Sequence, residues 1–214
     1  SIYNLPEPGG ATRSVQVLYK ILGRGTALLS ELRPPARVPA LLPLGLGFAP
    51  RRARGDRLVL VAGGVGVASL HPLAAEEIRR GRRPLLLFGC RTSAEVAGAE
   101  ATRALGVETL VSTDDGSEGA KGYVSDLLDA VLAERGTEGS VLCVCGPTPM
   151  MKASAGVATR RGAVCHVSLE SPMACGFGVC VGCVVGVRPE GAVEILYRRT
   201  CVDGPVMDAS EIVW

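Results

Sequence analysis

Cys175-Gly176-Phe177-Gly178-Val179-Cys180-Val181-Gly182-Cys183 places three thiols at C-x4-C-x2-C spacing, and Cys201 follows as a fourth. This is the plant-type spacing for a 2Fe–2S cluster, with its last ligand farther along the chain. The glycines suit that chemistry. A loop wrapped round a cluster turns backbone N–H groups toward sulfur, and Cβ atoms obstruct the close approach. Zinc is the rival reading. Structural zinc usually takes two short C-x2-4-C hooks, whereas only Cys180 and Cys183 are that close here and Cys201 stands alone. Unligated core thiols form the third reading, and the intervening glycines argue against it. The spacing ranks cluster first, zinc second and core last. Cys90, Cys143 and Cys165 fall in apolar runs and read as small core residues.

A second segment, Gly63-Gly64-Val65-Gly66, links the apolar run 58–62 to a helical stretch. A strand–turn–helix of this kind points helix N–H groups and the positive dipole end at a phosphate. Gly64 and Gly66 fit the first two positions of a dinucleotide fingerprint, but Ser69 replaces the third glycine. The acidic residue expected after the second strand is also missing, and Arg91 stands there instead. Cys145-Gly146-Pro147 forms another small-residue turn at a strand end. Both turns should meet at the carboxyl edge of a sheet, where open α/β folds bind ligands.

After the third strand comes Thr113-Asp114-Asp115-Gly116-Ser117. By itself it reads as a solvated turn. Beside the two glycine turns, Asp114 and Asp115 become candidates for a ribose or adenine contact. Two carboxylates repel an added 2′-phosphate, so NAD(H) is expected over NADP(H). Arg91 is the counterweight: it holds a phosphate, or it pairs with one of the aspartates. His71 and His166 read as structural, and no Ser/His/Asp set, paired-carboxylate motif or P-loop lysine is present.

The elements that must position these residues follow from periodicity. Residues 14–21 alternate as a strand, 27–32 read as a short helix with Thr26 as its cap, and 38–42 as another strand. An arginine-rich stretch at 49–56 reads as a linker. Beyond it, apolar runs at 58–62, 84–89, 107–112, 140–145 and 163–168 alternate with helical segments at 68–80, 94–105, 123–135 and 148–161. Apolar runs of this kind mark strands buried on both faces. The expectation is an α/β fold with a five-stranded, doubly wound parallel sheet. Three units are expected, at residues 1–50, 57–169 and 170–214.

Composition narrows the function. With 23 basic and 21 acidic residues the net charge is +2, so no basic field favours nucleic acid. The longest apolar stretch, 58–70, falls short of the ~20 residues that cross a bilayer, so no membrane partner is expected. No charged start followed by an apolar block opens the chain, which implies a cytoplasmic protein.

Taken in order, Leu18-Tyr19-Lys20, Gly23-x-Gly25-Thr26, Pro43-Leu44-Gly45-x-Gly47-Phe48, the Gly63 turn, Cys145-Gly146-Pro147 and the cysteine loop resemble one family. It is that of the electron-transfer subunits of type B dihydroorotate dehydrogenases, in the ferredoxin–NADP reductase superfamily. The resemblance spans nearly the whole chain. It implies a partial FAD-binding β-barrel at 1–50, a pyridine-nucleotide domain at 57–169 and a 2Fe–2S segment at 170–214. Leu18, Tyr19, Lys20, Gly25 and Thr26 match the family's FAD-contacting strand and turn. Ser1 matches the last residue of its Arg-Pro-x-Ser flavin motif, whose first residues and earlier barrel strands are absent, so the chain reads as a fragment. Gly63, Gly64, Val65 and Gly66 match the nucleotide-phosphate turn, and Cys145, Gly146 and Pro147 the stretch near the nicotinamide. Cys175, Cys180, Cys183 and Cys201 match the cluster ligands.

The implied function is electron transfer among NAD(H), FAD, the cluster and FMN, in pyrimidine biosynthesis. The FMN sits in a separate catalytic subunit, the implied partner in a heterotetramer. That partner should dock on an apolar rim of Met173, Phe177 and Val179. The alternatives are the small subunit of an NADH-dependent ferredoxin–NADP reductase or a sulfhydrogenase, or a zinc-binding interaction module.

Overall fold

The computed structural model describes residues 2–4, 14–48 and 57–214. Strand β1 (Ile2–Asn4) pairs antiparallel with β2 (Gln16–Val17), and α1 (Arg24–Glu31) follows. The expected strand at 14–21 shortens to two residues, and 38–42 forms no strand. Strand propensity needs a paired neighbour, and only three residues of β1 face this segment. The described residues up to 48 thus form a two-stranded ladder and a helix, not a closed barrel. Tyr3 stacks on His71 at 4.7 Å between ring centroids, and Phe48 is buried, so both ends of this region hold to the body that follows.

That body starts with β3 (Arg57–Gly63), α2 (Val67–Arg79), β4 (Leu85–Cys90), α3 (Glu100–Ala104) and β5 (Glu108–Thr113). It continues through β6 (Ala120–Lys121), α4 (Val124–Arg135), β7 (Ser140–Cys145), α5 (Thr148–Arg161) and β8 (Val164–Ser168). A hairpin of β9 (Val184–Val187) and β10 (Leu196–Arg199) precedes β11 (Val206–Asp208). The sheet order is β11-β8-β7-β3-β4-β5-β6. Its five central strands are the parallel ones expected, but the sheet has seven. β6 adds a parallel edge and β11 an antiparallel one. These edge strands are two and three residues long, too short for any periodicity to reveal them.

Alternation along the strands separates two cores. Val59, Val61, Leu142, Val144 and Val167 pack with Leu128 and Leu132 of α4 and Met151 and Val157 of α5. Leu58, Leu60, Leu86 and Phe88 pack on the other face with Val67 and Leu70 of α2. The expected helix at 94–105 is a 3-10 stretch (Ser93–Ala99) running into the short α3. Gly98 in its middle weakens a regular α-helix there. From the C-terminal segment, Val187, Met207 and Ala209 enter the first core.

Candidate functional site

The cysteine loop lies between β8 and β9, and its shape follows from its glycines. Gly176 and Gly178 take φ of +78° and +90°, a region that costs other residues. In these conformations the backbone N–H groups of Cys180, Phe177 and Val179 converge on Cys175 Sγ, that of Cys180 at 3.5 Å. The Gly182 N–H donates to Cys180 Sγ at 3.4 Å. Val181 between them holds φ +57°, an outlier for a β-branched residue. Strain of this kind gathers at functional sites.

Cys201 reaches the loop from the turn after β10. The Thr200 N–H and hydroxyl both donate to the Cys183 carbonyl, at 3.0 and 3.1 Å. This clamp brings Cys183 Sγ to 3.2 Å from Cys201 Sγ. Arg199 ties the loop down from the same side. Its guanidinium donates to the Gly178 carbonyl at 3.1 Å, and its own N–H donates to Asp203 at 2.8 Å.

The electrostatics follow from these contacts. The N–H groups aimed at Cys175, led by that of Cys180, pull its thiol down to about 6, so it is a thiolate at neutral pH. Cys183 is also lowered, first by the backbone N–H of Cys201. Cys201 is raised by its hydrogen-bonded neighbour Cys183: once one thiol of a touching pair ionises, the other holds its proton.

Among the described residues no three His, Cys, Asp or Glu side chains gather round one point as for a single ion. The thiols stand instead as two neighbouring pairs, Cys175 with Cys180 and Cys183 with Cys201. Two pairs with inward-facing N–H donors fit a two-iron cluster, which divides its thiolates between metals. A zinc site would instead draw its ligands to a single point.

At the carboxyl edge of the sheet the two glycine turns meet. A Cβ on Gly66 would lie 2.2 Å from the Cys145 carbonyl oxygen, and one on Gly63 would lie 2.5 Å from Met150 Sδ. Gly146 faces Gly63 with a Cβ clearance of 3.0 Å. Gly63, Gly66, Cys145 and Gly146 are buried, whereas Gly64 and Val65 reach the surface and Pro147 is exposed. The first residues of α2, Val67 and Ala68, are buried, so it is at Gly64 and Val65, just ahead of the helix, that the turn meets the surface. Burial raises the Cys145 thiol, so it stays neutral.

Asp114 and Asp115 follow β5 as expected. Their N–H groups donate to the carbonyls of Cys90 and Arg91, at 3.1 and 3.3 Å, so the two loops are fastened together. Asp115 accepts from the Ser117 N–H and hydroxyl, which lowers its carboxyl. Arg91 forms its ion pair with Glu95 rather than with an aspartate, at 2.7 Å. The i,i+4 spacing in the sequence carried that signal. Thr200 and Arg199 were not visible beforehand; only adjacency to Cys201 marked them.

In the N-terminal region Leu18 and Tyr19 are half-buried, and Lys20 and Gly25 are exposed. Thr26 lies inside α1 rather than at its cap: Gly23 is the N-cap, and the Thr26 hydroxyl, three residues on, accepts the N–H groups of Leu22 and Gly23, at 3.0 and 3.2 Å, and donates to the Gly23 carbonyl. Ser1 lies outside the described residues. His71 is buried in α2, and Cys90, Cys143 and Cys165 are buried in strands of the sheet, as expected of structural residues. No helix among the described residues is long and apolar enough to cross a membrane.

Residues 170–213 match the family described as the iron-sulfur cluster binding domain of dihydroorotate dehydrogenase B. Residues 60–156 match the oxidoreductase NAD-binding domain. The chain is 41% identical over 198 residues to the dihydroorotate dehydrogenase B (NAD(+)) electron transfer subunit of Bacillus caldolyticus, covering 92% of this chain and 73% of that one. It is 34% identical to the subunit of the same name from Fusobacterium nucleatum, covering 92% and 74%. A solved structure of an NADH-dependent reduced ferredoxin–NADP oxidoreductase superposes with a TM-score of 0.79 at 30% identity, covering 92% of this chain and 67% of that one. By motif order, site geometry and extended identity, the chain belongs to the family of electron transfer subunits of dihydroorotate dehydrogenase B.

Proposed function

We propose that this chain passes electrons between NAD(H) and the FMN-containing catalytic subunit of a dihydroorotate dehydrogenase, in pyrimidine biosynthesis. The observation that carries the reading is the arrangement of the four thiols as two N–H-supported pairs in a chain of this family. Cys175 and Cys180 would hold one iron of a 2Fe–2S cluster, and Cys183 and Cys201 the other. FAD, when bound, converts the two-electron chemistry of the nicotinamide into the one-electron chemistry of the cluster. Leu18, Tyr19, Lys20, Gly25 and Thr26 would contact the flavin. Gly63, Gly64, Val65 and Gly66 would face the nucleotide phosphates, Asp114 and Asp115 the adenosine side, and Cys145, Gly146 and Pro147 the nicotinamide side. Units at 1–50, 57–169 and 170–214 would serve flavin, nucleotide and cluster in turn.

The chain's own residues do three things in this scheme. The Gly176 and Gly178 turns aim N–H groups at sulfur, which stabilises the anionic thiolates. The Thr200 clamp fixes Cys201 against Cys183. Phe177, Val179 and Met173, which are 52%, 73% and 46% exposed, supply an apolar rim for the docking subunit. The near-balanced charge gives no basic field for nucleic acid, no helix among the described residues is long and apolar enough to cross a membrane, and a cytoplasmic setting agrees with the free thiols.

The test is anaerobic co-purification with a dihydroorotate dehydrogenase catalytic subunit. A brown complex with equal iron and acid-labile sulfide, plus both flavins, is expected. Zinc in a colourless chain would overturn the cluster. The 30% identity to the ferredoxin–NADP oxidoreductase keeps a second reading in view. Failure to bind the catalytic subunit, with reduction of ferredoxin by the holoprotein, would favour that alternative. Phe177→Asp should weaken the complex without changing the visible spectrum.

A further inference from the structure

Arg91 is the first residue beyond β4, at the carboxyl edge beside the β3 turn. In doubly wound sheets the adenosine ribose lies at the end of this second strand. There an acid takes the 2′-hydroxyl of NAD, or an arginine takes the 2′-phosphate of NADP. By residue type, the edge is built for the phosphate.

The geometry opposes that. Glu95, one turn on in the 3-10 stretch, accepts from Arg91 Nε at 3.1 Å and from Nη2 at 2.7 Å. Its second oxygen lies 3.4 Å from the Arg91 backbone nitrogen and accepts that N–H as well. Asp114 and Asp115 flank the same loop through their hydrogen bonds to the Cys90 and Arg91 carbonyls. The Arg91 guanidinium also feels the negative charge of Asp114, while Asp115 is turned toward Ser117. Lys20 of the N-terminal region adds a weaker positive charge that also favours the ionised Glu95 carboxylate. A phosphate approaching Arg91 would have to displace the Glu95 carboxylate and remain within the field of Asp114. A ribose hydroxyl carries no charge and meets no such repulsion.

We propose that Glu95 is a specificity-determining residue, occupying the guanidinium of Arg91 so that an arginine-bearing sheet edge selects NAD(H) over NADP(H). The proposal rests on the reading of this edge as the nucleotide site and adds the residue that sets its choice. Glu95 acts through Arg91, so the two substitutions must be non-additive.

Isothermal titration of the purified chain with NAD+ and NADP+ tests this, with circular dichroism to confirm folding of each variant. Glu95→Gln keeps the shape of the side chain and removes its charge. The ratio of the NAD+ to the NADP+ dissociation constant should rise at least tenfold in favour of NADP+. Adding Arg91→Gln to Glu95→Gln should erase that gain. A ratio that moves less than threefold, in a chain that still binds NAD+, overturns the proposal alone. So does a gain that persists in the double variant. If the unaltered chain binds neither nucleotide, the reading of the edge fails and the proposal falls with it.

Discussion

Two glycine-rich turns serve this molecule for opposite physical reasons. At the head of α2, Gly66 has an ordinary helical φ of −60°, but its missing Cβ leaves room for the carbonyl of Cys145, 2.2 Å from where that atom would lie. In the cysteine loop, Gly176 has a positive φ and only Leu44 Cδ1 near its Cβ position, at 3.6 Å. The first turn is tight because two backbones press together, and the second because its own backbone must reverse to aim N–H groups at sulfur. A glycine count cannot tell these apart. The difference matters because crowding is a property of the fold, whereas reversed φ belongs to the local chemistry.

The comparison breaks most visibly at the thiols. Cys183→Ser or Cys201→Ser should abolish or transform the visible absorption of the reconstituted protein, since each removes half of a touching pair. Cys143→Ala, in the sheet core, should leave that absorption intact. Spectra and iron content after anaerobic reconstitution check both outcomes.

Next in size is Gly66→Ala. Its Cβ meets backbone that cannot yield, so the variant should lose about 3 kcal/mol or fail to accumulate, as overpacking against a fixed neighbour predicts. Gly176→Ala meets no such wall and should cost only the ~1–2 kcal/mol of left-handed backbone. Denaturant unfolding of the two variants reads the difference. Equal losses would dissolve the distinction between the turns.

A smaller effect concerns acidity in the metal-free chain. Cys175 is lowered to about 6 by the N–H groups aimed at it, so it is ionised above that pH and protonated below. Alkylation by iodoacetamide, followed by mass spectrometry, should reach half its maximal rate at Cys175 near pH 6. Cys201 is raised and buried, and should require more alkaline pH than an ordinary thiol. An ordinary profile at Cys175 would show that the loop does not present its N–H groups to sulfur.

The smallest effect is at Val181, whose φ of +57° places a β-branched side chain in the left-handed region. Val181→Gly should relieve that strain and raise stability by less than about 1 kcal/mol, because glycine also gains freedom in the unfolded chain. Thermal unfolding would register a small upward shift.

Much of the body was legible from residue order. The apolar runs at 58–62 and 140–145 became β3 and β7, because strands buried on both faces leave little choice of element, and 148–161 became α5, whose one buried face carries Met151, Ala155 and Ala158. The cysteine loop was legible too as a place where thiols cluster, since their spacing is a local property of the chain. Three features were not. β11 joins the sheet 38 residues after β8 ends, and its three residues carry no period of their own. The strand expected at 14–21 shrank to two residues because pairing depends on a partner elsewhere in the chain. The partner of Arg91 was weighed as an aspartate in the facing loop, yet Glu95 took it. Residue types and spacings determined which groups could ligate, turn or pair. The tertiary structure decided which of them meet, because contacts between distant segments depend on where the backbone delivers each side chain.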